Sequence, residues 1–494
     1  MRVEMARGAA WMVLFRLFDR SVGIISTSVL ARLLVPADFG LVAMAMSIIA
    51  IIELATAFSF EVALIQKADP VREHFDTAWT LNILVAIGGA IVTAALAYPT
   101  ASFYGDPRLV AVMFAIGAAW LVSGFENVGT VNFRREMNFS AEFRWMAAKR
   151  LVAFVVTLIA AFSLHSYWAL VIGMATGRIA GVALSYIMHP FRPRLTFARA
   201  RELFSFSGWL LVNNIAVVLI GRLPHFFVGR VYGAQALGAY TVGSEIAQLA
   251  HTELVAPINR AMFPGYSRLV NEPETFRRVC IEATAAILLL VLPVTAGVAV
   301  LAQPFVRVLL GDQWQEAVPI IQILAFASAV TALTSNNTSA YLALGRPHLA
   351  TLTFMTRMIL FLGAIFIFGR DGGVSSVAYA ELFASFGSLL VSLPILFAAL
   401  KLRLHDYLAT LWRPVIASAL GYEAVRLLLV ELGAGDSFGG ALVQLAVGAL
   451  VGVLVYTLSL WLLWLMSGRP ASVEPIIARR VRDALPGFLS RRAP

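Results

Sequence analysis

Charged side chains lie inside segments of the sequence that are otherwise apolar, and they are the residues best suited to chemistry. Arg16, Asp19 and Arg20 have the spacing i, i+3 and i+4, so a helix places all three on one face. Each charge at the centre of a bilayer costs about 2.5–3.5 kcal/mol. That face is therefore expected to contact protein or water. Arginine there suits a phosphate ligand, because its planar guanidinium donates several hydrogen bonds and stays charged.

Similar polar residues recur in other apolar segments. The candidates for substrate binding are Arg16, Arg20, Arg222, Arg357, Asn213 and Asn214. The candidates for binding a coupling ion, or for pairing with those arginines, are Asp19, Glu53, Glu61, Glu245, His251, Glu253 and Glu381. The structural alternative is that these groups form ion pairs and packing hydrogen bonds inside a bundle, or extend to the membrane surface. A polar lumen is the simplest arrangement that satisfies them together.

The elements that position these residues must cross a membrane. Of the 494 residues, 60% are hydrophobic and only 13% are charged, against about 25% charged in soluble domains. The apolar residues come in blocks long enough to span roughly 30 Å of hydrocarbon as helices. We therefore predict an all-α polytopic membrane protein. The single cysteine, Cys280, excludes an internal disulfide and a cysteine-rich metal site, and neither a metal nor a cofactor is predicted.

Fourteen apolar segments can be placed along the chain. They lie near 9–31, 39–65, 78–99, 109–131, 150–164, 167–188, 208–229, 236–259, 281–302, 316–340, 349–369, 374–400, 411–430 and 440–466. Of the 38 Lys and Arg residues, 27 then lie on the side of the N-terminus and five on the opposite side. Because basic loops stay in the cytoplasm, both termini are predicted to be cytoplasmic. The net charge of +10 therefore reports orientation and does not indicate nucleic acid as a partner.

Three longer segments that mix arginine with aromatic residues join spans on the cytoplasmic side. They are 132–150, 189–207 and 260–280. Amphipathic segments lying on the membrane surface are expected there. The alternative is that they contact anionic lipid headgroups or a cytoplasmic partner.

A weak internal repeat predicts how the spans are grouped. Shifting the chain by 198 positions overlays "RLLVPADFGLVA" (32–43) on "RVYGAQALGAYT" (230–241) and pairs Gly40 with Gly238. We therefore predict two six-helix lobes around a polar central cavity, followed by two C-terminal helices. The expected parts are an N-terminal lobe at 1–190, a cytoplasmic connector at 191–207, a C-terminal lobe at 208–400, helices 13–14 at 401–470 and a cytoplasmic tail at 471–494.

Catalytic signatures are absent from the sequence. It contains no phosphate-binding lysine loop of an ATPase, no paired aspartates for a metal-bound nucleotide sugar, and no zinc-protease or serine-hydrolase motif. The predicted outer loops are also too short to build a polymerase or ligase site. We expect a conduit and not an enzyme.

The turn "ARLLVPADFGLVAMA" (31–45), together with fourteen spans and cytoplasmic termini, resembles the polysaccharide transporter family. This family is the Wzx-like branch of the multidrug/oligosaccharidyl-lipid/polysaccharide flippase superfamily. Segments 76–91 and 341–350 are similar to the same family. The segment "FRREMNFSAEFRWMAAKR" (133–150) looks most like the colanic-acid and teichuronic-acid exporter type.

The resemblance implies a bacterial inner-membrane flippase. It would translocate undecaprenyl-diphosphate-linked oligosaccharide by alternating access, for exopolysaccharide, capsule or lipopolysaccharide biosynthesis. Its partners would be that lipid-linked glycan, the bilayer, and the polymerase and chain-length regulator of the pathway. The alternatives are a cation-coupled multidrug exporter of the same superfamily, a lipid II flippase, an integral-membrane glycan polymerase or ligase, and a non-transporting scaffold of a glycan assembly complex.

Overall fold

The computed structural model describes residues 2–55, 60–67, 69–368, 372–433, 435 and 437–468. Every regular element in these ranges is a helix. The chain divides into two compact units, Met1–Thr241 and Val242–Pro494. The lobe, connector and tail boundaries expected from the sequence stay predictions.

The described part of the first unit contains eight helices and most of a ninth. They are α1 (Arg2–Leu33), α2 (Pro36–Ala55), α3 (Phe60–Gln66), α4 (Arg72–Tyr104), α5 (Arg108–Ser123), α6 (Val131–Arg135), α7 (Phe139–Leu164), α8 (Trp168–Met188) and α9 (Ala200–Ala247). α7 and α8 pack along each other, as do α4 and α5, and α5 also packs on α8. The helix of the fifth predicted span begins at residue 139 and not near 150, because Asn138 caps it with a side-chain oxygen that accepts from the N–H of Ala141.

The second unit contains the remaining helices. They are α10 (Ala256–Arg268), α11 (Pro273–Val300), α12 (Ala302–Leu309), α13 (Ala317–Ala343), α14 (Pro347–Phe368), α15 (Gly373–Leu400), α16 (Leu404–Glu431) and α17 (Phe438–Met466). α13 packs between α11 and α15, and α16 packs on α11 and α17. The Tyr456 hydroxyl of α17 donates to the carbonyl of Leu289 in α11 at 2.7 Å. The last two helices are therefore part of this unit's core.

Within the described residues, the predicted spans fall on helices of this all-α fold. Nine helices of the described chain are each long and apolar enough to cross a membrane. A tenth span is obtained if the helical segments Arg108–Ser123 and Val128–Arg135, which are bent by 65° relative to each other, are taken together as one span. α1 is not among these helices, because Arg16, Asp19 and Arg20 interrupt its apolar stretch. The seventh and eighth spans follow each other within α9, which is broken at Gly233, where φ is 81°. The protein is thus a multi-pass membrane protein, and fourteen spans are consistent with the helices seen.

The segment "PADFG" (36–40) forms a corner between α1 and α2. Pro36 is the first residue of α2, where its missing N–H leaves no hydrogen bond unmade. One carboxylate oxygen of Asp38 accepts from the N–H of Val35 at 3.2 Å, and the other accepts from the N–H of Tyr167 at 3.1 Å. Asp38 therefore ties this corner to the turn between α7 and α8, which is a structural role.

The two glycines paired by the internal repeat meet at a crossing of α2 and α9. A Cβ atom on Gly40 would lie 1.7 Å from the carbonyl oxygen of Ala234, and one on Gly238 would lie 1.8 Å from that of Pro36. Pro36 and Ala234 are themselves related by the shift of 198 positions. The contact is therefore two-fold related, and small residues let the two backbones approach this closely. We call it the glycine crossing.

Residues 189–199, which we call the connector strap, run without helix across α4. The N–H of Arg194 donates to Asp76 at 2.9 Å, and that of Thr196 donates to the Thr80 hydroxyl at 3.0 Å. Hydrogen bonds from Lys67, Arg199 and His74 lower the pKa of the nearby Glu202 to about 2. The strap is thus fixed on the protein and does not form an amphipathic surface helix.

Candidate functional site

The helical backbone is irregular where the second unit begins. Residues His251–Val255 form one turn of π-helix between α9 and α10, and the N–H of Ala256 donates to the carbonyl of His251. Such turns are frequent at functional sites. Inside a membrane, irregular backbone is tolerated where it is buried in protein or lines a cavity.

A cavity of about 330 Å³ lies beside this turn, wholly within the second unit. We call it the α13 cavity, because the middle of that helix forms much of its wall. Its polar lining residues are Gln248, His251, Ser328, Thr331, Thr334, Ser335, Thr338, Thr353, Arg357, Glu381 and Ser388. The cavity therefore offers a dense set of hydrogen-bonding groups between helices that are otherwise apolar.

Four hydroxyl-bearing residues form a stripe along α13. Thr331, Thr334, Ser335 and Thr338 have the spacing i, i+3, i+4 and i+7, which places them on one helical face. The hydroxyls of Thr331, Thr334 and Ser335 donate to carbonyls of their own helix at 2.8–3.0 Å. These bonds use the hydroxyl protons and leave oxygen lone pairs as acceptors, and the Ser335 oxygen already accepts from Nδ2 of Asn259 at 3.0 Å. The stripe therefore presents mainly hydrogen-bond acceptors.

The charges in the α13 cavity are balanced. Arg357 of α14 donates to a carboxylate oxygen of Glu381 of α15 at 2.9 Å. Their side chains are only 27% and 19% exposed. A half-buried pair of this kind fixes both side chains, because losing one partner leaves the other charge uncompensated.

Two lining residues carry polar atoms without a hydrogen-bond partner in the described part of the chain. They are Nδ1 of His251 and Oγ of Ser328. Ser328 is only 5% exposed, so its hydroxyl has little access to bulk water. Buried polar groups are normally paired, and an unpaired one calls for an ordered water or a ligand.

Only some of the predicted site residues meet in this cavity. His251, Arg357 and Glu381 line it together. Glu245 is exposed and precedes the π turn, Glu253 is half-buried within it, and neither residue lines the cavity. Asn213 and Asn214 lie outside the residues whose side chains the structure describes.

The predicted residues of the first unit lie elsewhere. Arg16 is exposed on α1, while Arg20 and Arg222 are half-buried on α1 and α9. Three acidic candidates form ion pairs with bases that were not predicted as partners. They are Asp19 with Arg150 at 3.0 Å, Glu53 with Arg178 at 2.5 Å and Glu61 with Arg134 at 3.6 Å. These contacts favour the structural alternative for the three carboxylates.

Sequence reasoning missed the hydroxyl stripe of α13. The signal was present in the spacing of Thr331, Thr334, Ser335 and Thr338, which follows one helical face. It is a weak signal because hydroxyls in an apolar helix can also bond their own backbone, as they do here. The facing Ser388 and the π turn at His251 have no comparable local signal.

The sequence is similar to known proteins over most or all of its length. A family model described as a polysaccharide biosynthesis protein matches residues 29–319. The succinoglycan biosynthesis transport protein ExoT of Rhizobium meliloti is 22% identical over 490 residues, which cover 99% of this chain and 97% of that protein. The teichuronic acid biosynthesis protein TuaB of Bacillus subtilis is 23% identical, with 82% of this chain and 84% of that protein covered.

Solved structures share the fold. The lipid II flippase MurJ in an inward closed conformation superposes with a TM-score of 0.72 and 14% identity, covering 92% of this chain and 99% of that one. An inward-facing multidrug resistance transporter of the MATE family and MOP superfamily superposes with a TM-score of 0.56 and 15% identity, covering 78% and 94%. The predicted fold class is thereby confirmed. Since the family model spans more than half of the sequence, the chain belongs to the polysaccharide biosynthesis protein family.

Proposed function

We propose that the protein is a bacterial inner-membrane flippase for undecaprenyl-diphosphate-linked oligosaccharide, with both termini in the cytoplasm. The α13 cavity is the observation that carries the proposal. Polar groups at the middle of membrane-crossing helices are costly and mark substrate or ion pathways. In secondary transporters, substrate sites lie near the bilayer midplane beside interrupted helices. Thr331 lies near the middle of α13 (Ala317–Ala343), and the π turn interrupts the helix beside it.

The chemistry of the substrate predicts which part of the protein binds the glycan and which binds the diphosphate. Each sugar hydroxyl that enters hydrocarbon without a partner costs several kcal/mol, about 4–8 on a cyclohexane scale. Polar side chains inside the protein replace the water molecules that hydrogen-bond these hydroxyls, while the polyprenyl tail stays in lipid. Arg16, Arg20 and Arg222 remain our candidates for the diphosphate. Glu245 and Glu253 remain candidates for ion coupling.

A multidrug exporter of the same fold would be expected to have an acidic and aromatic pocket. The described lining of the α13 cavity instead has one carboxylate, Glu381, held by Arg357, and one phenyl ring, Phe354. This balance favours a hydroxyl-rich substrate over a lipophilic cation.

Reconstitution tests the function directly. Purified protein in liposomes is expected to move lipid-linked oligosaccharide between leaflets, measured as its accessibility to a glycosidase added outside. In parallel samples without glycosidase, mass spectrometry of the recovered lipid is expected to show an unchanged mass, because we propose transport without bond making or breaking. Longer glycans, or cleavage of the diphosphate, would instead support the polymerase or ligase alternative. Liposomes that contain the lipid-linked oligosaccharide but no protein provide the background rate of movement between leaflets.

Topology can be checked by thiol labelling on a Cys280→Ser background. We expect Leu195→Cys, in the connector strap, to react with an impermeant maleimide only after the inner membrane is permeabilised. Gln313→Cys, in the loop before α13, should react in intact cells. Both positions are exposed in the structure. The basis is the uneven distribution of Lys and Arg, and labelling of Leu195→Cys in intact cells would reverse the proposed orientation.

A further inference from the structure

The α13 cavity has the hydrogen-bonding pattern of a carbohydrate site. We propose that it binds a sugar residue of the transported glycan, while the diphosphate binds elsewhere. The inference rests on the proposed flippase function and adds a location for glycan recognition.

A phosphate ligand is disfavoured by the charge balance. Arg357 is the one arginine or lysine in the described lining, and Glu381 already accepts from it at 2.9 Å. A diphosphate would have to displace Glu381 and then share the cavity with its carboxylate. Two anions close together in a site of low dielectric repel each other strongly. A neutral ligand meets no such obstacle.

A metal ion is disfavoured by the ligand set. Within the described residues, no group of three or more His, Cys, Asp or Glu side chains lies close enough to hold one. The cavity itself contributes Glu381, which is paired, and His251. Hard cations take six or more oxygen ligands with several carboxylates among them, and this lining does not supply them.

A sugar fits what remains. Each sugar hydroxyl both donates and accepts, as serine and threonine hydroxyls do. Thr331 and Thr334 of the stripe offer acceptors, while the Arg357 guanidinium and the Gln248 amide offer donors. The unpartnered Oγ of Ser328 can do either.

Size and shape point the same way. Phe354 supplies an apolar ring against which the C–H face of a pyranose can pack. The volume of about 330 Å³ is near the lower end of ligand pockets, roughly 300–1,000 Å³. The cavity can therefore hold a small part of a glycan and not a whole oligosaccharide. The cavity would therefore select for the identity of one sugar of the oligosaccharide.

The test compares two lipids on the full-length protein in lipid nanodiscs. One is lipid-linked oligosaccharide extracted from the host strain deleted for this gene, and the other is bare undecaprenyl diphosphate. We expect the wild type to bind the glycan-bearing lipid more tightly. A Thr334→Val/Thr338→Val double variant keeps the side-chain shapes but loses both hydroxyls. We expect it to lose roughly tenfold in affinity for the glycan-bearing lipid, with affinity for the bare lipid unchanged.

Controls separate recognition from folding. Thr457→Val removes a hydroxyl that also bonds its own helix but faces outward on α17, so its binding should match the wild type. Ser388→Ala provides a second test from the facing helix α15, and should also weaken only the glycan-bearing lipid. Thermal unfolding midpoints of all variants are compared in the absence of lipid.

The outcomes are distinguishable. Equal losses for both lipids, or an unchanged preference in the double variant and in Ser388→Ala, would overturn the sugar site while leaving the proposed flippase intact. Failure of the wild type to bind either lipid would contradict both proposals. Loss confined to the glycan-bearing lipid supports the sugar site.

Discussion

Gly40→Ala is expected to reduce glycan export by about fivefold or more. The added Cβ would lie 1.7 Å from the carbonyl oxygen of Ala234, so α2 and α9 must move apart. Overpacking of this kind costs about 1–3 kcal/mol, which shifts a two-state equilibrium roughly 5- to 150-fold. We expect each transport cycle to open and re-form this crossing, so the variant would rarely regain the packed state. The measurement is export by a strain lacking its own transporter, scored beside membrane abundance of the variant.

Matched glycine variants provide the controls. Gly238→Ala meets the carbonyl oxygen of Pro36 at 1.8 Å and should behave as Gly40→Ala does. Gly88→Ala in α4 and Gly297→Ala in α11 meet no atom within 4 Å, and both should export normally. Normal export by Gly40→Ala would show that the glycine crossing is not needed for transport. A fall in abundance as large as the fall in export would assign the crossing to folding.

Arg357→Ala is expected to lower both export and the amount of folded protein. It removes the guanidinium that donates to the half-buried carboxylate of Glu381 at 2.9 Å. Removing one member of a buried ion pair typically costs about 3–5 kcal/mol. Replacing both residues, as Arg357→Met/Glu381→Leu, should restore abundance, because apolar side chains of similar volume fit between the helices. Abundance is measured by immunoblot of membranes, and stability by thermal unfolding in detergent.

Export by the double variant then separates two roles. If the pair also contacts the substrate, export stays low although abundance recovers. Full recovery of both would limit Arg357 and Glu381 to an architectural role. Arg426→Ala is the control, because its pair with Glu423 at 2.7 Å is about half exposed at both ends. Exposed pairs are worth about 0–1 kcal/mol, so this variant should behave nearly as the wild type.

The fold could be predicted because local sequence determines membrane helices. Apolar blocks of sufficient length predicted the spans, and these fall on helices within the residues that the structure describes. The apolar pattern could not predict where α7 begins, because capping by Asn138 starts the helix well before its apolar part. The sequence repeat, a shift of 198 positions, pairs two glycines that are in contact in the structure, since Gly40 and Gly238 both lie in the glycine crossing.

The site was predicted only in part, because its contacts join distant segments. The spacing of Arg16, Asp19 and Arg20 predicts a shared face but not a partner. Arg150, which pairs with Asp19, lies far along the chain in α7. His251, Arg357 and Glu381 were singled out separately by their charge, and only the packing of α14 and α15 beside the π turn places them in one cavity. Their roles in binding or coupling stay predictions.

The connector strap has a consequence for how this sequence can vary. Arg194 and Thr196 bind α4 through their main-chain N–H groups, whereas Asp76 and Thr80 bind through their side chains. Any amino acid except proline can supply an N–H. Random drift at positions 194 and 196 therefore leaves the attachment intact, and the evolutionary constraint falls on the α4 residues that receive it. Homologous chains should accordingly tolerate most residues at position 194 while keeping acceptors at positions 76 and 80, whereas Arg199 at the end of the strap is constrained by its own side-chain bonds to Glu73 and Glu202.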